Sequence, residues 1–217
     1  MITSTAELRQ LYPQATARSR AKQLDRLDET MCRFIAQAPL CVLATAGDIA
    51  QDALLDASPR GGRPGFVQVA DAQTLLIPDA TGNNRLDTLE NLLADPRIGL
   101  LFLIPGVNEV LRVNGRASLR DEAALVQRFA QPEARALPKL VIEVAVREAY
   151  LHCPKALMRS SAWAADGRLA QGSFPSMNSM LRTQLGADLV PETEAQAQAR
   201  YAEQLASEGL TIPSPQD

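Results

Sequence analysis

The chain has 217 residues, 46% of them hydrophobic and 22% charged, the make-up of a globular protein with length for one domain plus appendages. A formal net charge of −3 and a pI near 5.3 exclude bulk attraction to nucleic acid or to an anionic membrane surface. The apolar run IGLLFLIPGV is too short to cross a bilayer, and the N-terminus, which carries Glu7, lacks the apolar stretch of a signal peptide, so a reducing cytoplasm is expected.

In STAELRQLY, Ser4 or Thr5 can cap a first helix whose Leu8 and Leu11 are three apart. A second helix is expected over 19–36, with Leu24, Leu27, Met31, Phe34 and Ile35 on one face and Pro39 as the stop. From 40 to 119 the texture changes to short strands: LCVLAT, ALLDA, GFVQVA, TLLIP, IGLLFLI and EVLRVNGRASL, separated by Gly, Pro, Asp or Asn. IGLLFLI is apolar throughout, as in a strand buried on both faces. EVLRVNGRASL alternates, setting Leu111, Val113, Ala117 and Leu119 against Arg112, Asn114 and Arg116.

One helix interrupts the strands, GNNRLDTLENLLADP, with Leu86, Leu89 and Leu93 in register and Pro96 at its end. A helix at about 121–131 precedes the strand KLVIEVAVREAYLH, and the tail from 154 reads as helical. A single strand–helix–strand insertion among many short strands points to a closed barrel with helical decoration, since a doubly wound sheet would repeat that unit. Three parts are expected: helical 1–38, barrel 39–152, helical 153–217.

Little here supports hydrolytic or metal chemistry. Cys32, Cys41 and Cys153 are odd in number and form no C-x-x-C pair, which argues against a disulfide framework and a zinc cluster. His152 is the only histidine, so one chain cannot build a multi-His metal site, and no G-x-S-x-G elbow supports a serine nucleophile.

Phosphate chemistry is better represented. In DASPRGGRPGFVQV, Ser58, Arg60 and Gly61 offer a hydroxyl, a guanidinium and a flexible N–H; the stretch is either an anion nest or a plain strand-connecting loop. In PDATGNNRLD, Asn83 or Asn84 can cap a helix from whose first turn Arg85 projects. A cation there opposes the helix dipole unless an anion lies between. In HCPKALMRSSAW, Cys153 would cap a helix with Pro154 first, placing Lys155, Arg159 and Trp163 on one face. Neither the G-x-G-x-x-G nor the P-loop pattern occurs.

Taken in order, FIAQAPLCVLATAG, DASPRGGRPGFVQV, LLIPDATGNNRLDTLENLLADPRIGLLFLIPG, LRVNGRA and YLHCPKALMRSSAW resemble the pyridoxamine phosphate oxidase-like FMN-binding split-barrel family, and within it a bacterial branch of FMN-dependent enzymes. The resemblance implies an α+β, mainly β fold: a six-stranded split β-barrel with N- and C-terminal helices and an FMN groove at a homodimer interface. It implies that Ser58, Arg60 and Gly61 lie along the flavin ring or ribityl chain and that Ile77 and Pro78 line the groove. Asn83 and Arg85 would hold the phosphate, Arg112 would sit near the interface, and Lys155 and Ala156 would be closest to the flavin, from the second subunit. Gly62 departs from the acidic residue expected after SPRG. The implied function is an FMN-dependent oxidoreductase for an unknown small molecule, with a nicotinamide donor or oxygen as acceptor and no nameable catalytic side chain. The alternative is a non-catalytic flavin-binding or haem-handling module, for which His152 is the sole axial candidate.

Overall fold

The computed structural model describes residues 1–80, 82–170, 172–186, 188 and 190–211. Helix α1 spans Thr5–Leu11 and is capped by Ser4, whose Oγ accepts from the Glu7 N–H at 3.2 Å. The helix expected over 19–36 is divided. Helix α2 (Ala17–Ala21) ends early, and Leu24 turns extended to exchange two backbone hydrogen bonds with Ala149, at 3.0 and 2.8 Å. Helix α3 (Glu29–Gln37) then starts afresh at Asp28, whose carboxylate accepts from the Met31 N–H at 2.8 Å. Strand pairing and a strong cap override the helical periodicity there, although Met31 and Ile35 do face the core.

The strands are β1 (Leu40–Ala46), β2 (Leu55–Gly61), β3 (Gln68–Asp71), β4 (Thr74–Pro78), β5 (Arg97–Leu103), β6 (Val110–Arg120) and β7 (Val141–His152). They form one antiparallel sheet in the order β2-β1-β5-β6-β7-β4-β3. Seven strands match the seven apolar runs of the sequence, one more than the six implied by the resemblance; the architecture is otherwise the expected α+β one. Helix α4 (Asp87–Ala94) joins β4 to β5, and the short α5 (Ala123–Val126), followed by a 3₁₀ turn at Gln127–Phe129, lies between β6 and β7. Helices α6 (Lys155–Ser160), α7 (Met177–Leu185) and α8 (Glu194–Ser207) complete the chain.

The edge strands β2 and β3 are joined by residues 62–67 alone. That link reaches at most about 25 Å, whereas a flat seven-stranded sheet would be about 29 Å wide. The sheet is therefore rolled. Its inner face carries Leu43, Ile77, Leu100, Phe102, Leu111 and Val144, all at or near zero exposure in one cluster closed off by α3 and α4. Each such side chain stabilises the fold by roughly 1.5–3 kcal/mol. Strand β5 is not buried on both faces: Leu101 points outward and is 41% exposed.

The β6–β7 register shifts after Asn114, leaving Arg147 as an extra residue. This bulge resets the alternation so that Val146 and Ala149 both face inward. Gly115 sits at the bulge, where a Cβ would collide with the Ala145 carbonyl oxygen and lie 2.9 Å from Val144 Cγ1. Gly115→Ala is expected to cost about 1–3 kcal/mol through overpacking; an unchanged urea midpoint would contradict the close approach.

Candidate functional site

Ser58, Arg60 and Gly61 lie in a strand, not in a loop. Strand β2 pairs with β1 so that Asp56, Ser58 and Arg60 stand opposite Thr45, Leu43 and Cys41, on the inner face. Pro59 is tolerated because β2 is an edge strand. At this edge the apolar lining gives way to polar groups. Ser58 Oγ donates to Asp56 Oδ2 at 2.7 Å, and the buried Thr88 of α4 donates to the same oxygen at 2.8 Å. Asn91 of α4 donates to Thr45 Oγ1 at 3.1 Å. These bonds fasten α4 to β1 and β2 and fix the rotamer of Ser58.

Arg60 donates to the carbonyl of its neighbour Pro59 at 3.0 Å and has no carboxylate within ion-pair distance among the described residues. It borders a cavity of about 280 Å³ at the split between the sheet edges, together with Gly61, Pro78, Asp79, Phe66 and Arg128. Behind it, burial pushes the Cys41 thiol up to about 12, against the opposing charge of Arg60. Burial also raises the Asp79 carboxyl, and Arg60, the Ala80 N–H and Lys139 pull it back only in part.

The other expected site residues lie outside that cavity. Ile77 has its side chain wholly in the core, beside Pro78 at the end of β4. Asn83 does not cap a helix; its Oδ1 accepts from the Arg85 N–H at 3.0 Å in a turn, and Asn84 takes φ 61°. Helix α4 begins at Asp87, so Arg85 precedes the first turn and donates to Asp87 Oδ2 at 3.0 Å. The expected clash of Arg85 with the helix dipole is therefore absent, and Asp87 and Glu90 occupy the first turn. Arg112 is on the outer face of β6 across from Tyr150, with its guanidinium 5.8 Å from the ring centroid and Lys22 Nζ 5.3 Å from the same ring. Lys155 and Ala156 open α6, one residue later than expected, with no side-chain cap. Ser161, at φ 49°, ends that helix, so Trp163 leaves its face and donates to the Val107 carbonyl at 2.8 Å.

Sequence reasoning missed four residues of this region. Asp56 was legible once β2 is read with a period of two, because it shares a face with Ser58. Asp79, Thr88 and Arg128 carry no local signal; only the fold brings them to the split.

Because the folded Asp79 has a raised pKa, the native chain holds this proton more tightly than the unfolded one. The contribution is fully present below the unfolded value, near 3.8, and is lost as pH rises through the higher folded value. Asp79→Asn is thus expected to raise stability at pH 7 relative to wild type by more than it does near pH 4. Urea denaturation at both pH values reads this, and equal shifts would contradict the burial penalty.

The profile of the Pyridoxamine 5'-phosphate oxidase family matches residues 27–153, more than half of the chain, including all seven strands. Among solved structures, HupZ of Group A Streptococcus is 19% identical, with 58% of this chain and 93% of that one covered at a TM-score of 0.47. A Clostridium acetobutylicum protein related to general stress protein 26, of the pyridoxinephosphate oxidase family, is 12% identical over 58% of this chain and 92% of that one, TM-score 0.42. General Stress Protein 26 of Bacillus anthracis is 14% identical over 55% and 89%, TM-score 0.40. A search of curated proteins found no match. With its antiparallel rolled sheet and a profile match that runs from the start of α3 to the end of β7, the chain belongs to the pyridoxamine 5'-phosphate oxidase family.

Proposed function

We propose that this chain is an FMN-dependent oxidoreductase that acts as a homodimer on a small molecule. The observation that carries the reading is Arg60, a guanidinium without a carboxylate partner among the described residues, at the mouth of the split beside Gly61 and Pro78. The donor set suits a phosphate monoester, which takes charge-assisted bonds from guanidinium and backbone N–H groups, each worth roughly 1.5–3 kcal/mol. Asn83 and Arg85 would hold the phosphate, with Arg85 exchanging Asp87 for it, and open space at Gly82 allows close backbone approach. Ser58, Arg60, Gly61 and Pro78 would line the flavin, with Ile77 anchoring Pro78 from the core and the unpaired edge of β2 supplying polar backbone to the ring. When bound, FMN supplies the hydride and one-electron chemistry, so the chain itself needs no nucleophile. The protein's part is to hold the ring, exclude water and set the electrostatics around it.

The dimer is supported by the outer face of the sheet. Leu55, Ala57 and Pro59 of β2, the half-buried Val42 and the exposed Ala44 of β1 and Leu101 of β5 form an apolar surface that no other element among the described residues covers, with Leu55 83% exposed. A second copy on this face would bring its own Lys155 and Ala156 toward the flavin and would place Arg112 near the interface. No helix among the described residues is long and apolar enough to cross a membrane. The free thiols of Cys32, Cys41 and Cys153 suit a reducing cytoplasm.

The purified protein is expected to show a releasable yellow flavin spectrum that NADH or NADPH bleaches anaerobically. A colourless protein that ignores added FMN, or a Soret band that depends on His152, overturns the reading. Arg85→Ala is expected to weaken FMN binding about tenfold or more while leaving thermal stability nearly unchanged; equal losses would remove its phosphate role. Leu101→Asp is expected to shift the protein from dimer to monomer in sedimentation, and an unmoved mass would exclude this face.

A further inference from the structure

We infer that the cavity at the split binds a small, singly charged carboxylate with a flat apolar body, gripped between Arg60 and Arg128. The cavity shares Arg60, Gly61 and Pro78 with the flavin groove proposed above and lies beside it, and its role as the substrate site rests on that reading. At about 280 Å³ the cavity is at the small end of ligand pockets, which run from about 300 to 1,000 Å³. It suits a single-ring acid and is too small for a whole flavin nucleotide.

Its walls are of two kinds. Phe66 and Phe129 provide the apolar surface. The ring of Phe66 rests directly on Gly62, where a Cβ would stand 2.7 Å from Phe66 Cβ and 2.9 Å from Cγ. The absence of a side chain after SPRG, where the family resemblance implies an acid, is what lets that ring in and keeps a carboxylate out.

The charged wall selects the ligand. Arg60, Arg63 and Arg128 line the cavity with Asp79 and Glu208. Arg63 is already engaged, donating to the Gly209 carbonyl and facing Glu133 Oε2 at 3.5 Å. Arg60 and Arg128 have no carboxylate within ion-pair distance among the described residues. A carboxylate on a flat apolar body takes charge-assisted bonds from these guanidiniums while its ring rests against Phe66 and Phe129. The backbone of Arg128 is tied to β3, its carbonyl accepting from Gln68 Nε2 at 3.1 Å.

The roof is residues 207–210, the last residue of α8 and the turn that follows it. It is held by backbone bonds: the Arg135 N–H donates to the Ser207 carbonyl at 2.8 Å, and Arg63 donates to the Gly209 carbonyl. Gly209 adopts φ 74° and packs so closely on the 133–134 backbone that a Cβ would lie 3.1 Å from Ala134 N.

Calorimetric titration with benzoate tests the site on both FMN-loaded and flavin-free protein. Benzoate is expected to bind wild type at millimolar concentration or below, with benzyl alcohol and phenyl phosphate both weaker. Arg128→Ala, on an exposed turn, is expected to lose about ten- to a hundredfold in benzoate affinity with its melting temperature and flavin retention unchanged, and Arg128→Lys to recover part of the loss. Gly209→Val is expected to weaken benzoate binding by opening the roof. Equal benzoate affinity in wild type and Arg128→Ala, no binding to wild type, or competition between benzoate and FMN for the flavin-free protein would each overturn the assignment. Arg128-dependent benzoate binding by a protein that takes up no FMN would keep the site and discard only the flavin reading.

Discussion

The six residues between Gly61 and Gln68 join strands that lie at opposite edges of a seven-stranded sheet, so the sheet cannot lie flat and rolls its edges toward each other. From that one constraint follow a single apolar interior, an incomplete seam and a pair of unpaired edges facing each other across it. Exposed edges are a liability in a sheet unless something covers them. Here β2 and β3 converge on a cavity instead, to which they bring the polar Arg60 and Gln68 where the interior is apolar.

The change from apolar to polar between β1 and β2 on the inner face requires each buried polar group to have a partner. Asp56 collects two hydroxyl donors, Ser58 and Thr88, and Asn91 meets Thr45; no buried side-chain polar atom lacks a partner among the described residues. The same bonds dock α4, and with it the 82–86 turn that carries Asn83 and Arg85. Arg60 is the exception in kind. It has no carboxylate within ion-pair distance among the described residues, and its charge acts on the half-buried Asp79 across the split.

The two faces of the sheet are used differently. Inside, alternation survives the Arg147 bulge because the extra residue restores the inward phase of Ala149. Outside, β1, β2 and β5 present Val42, Ala44, Ala57, Pro59 and Leu101 without a covering element among the described residues. A surface of this kind normally marks an association site. An apolar run such as IGLLFLI can thus arise from a core on one side and a partner on the other.

Local chemistry determined a good deal by itself. The period-two alternation of LRVNGRASL, the apolar runs of the seven strands and the Ser4 cap were all legible, because each depends only on neighbours along the chain. The family, too, was legible from the order of its motifs. Tertiary structure decided the rest. The 19–36 helix breaks because Leu24 finds Ala149 more than a hundred residues away, and SPRG is strand because β1 lies beside it. Arg85 falls outside the helix because packing of Thr88 and Leu89 sets where α4 begins. The split brings Arg60 and Arg128 to one cavity through pairings that no local pattern encodes. Secondary structure follows from short-range sterics and hydrogen bonding, whereas a site is a long-range meeting of side chains, fixed only when the sheet has rolled and its register is set.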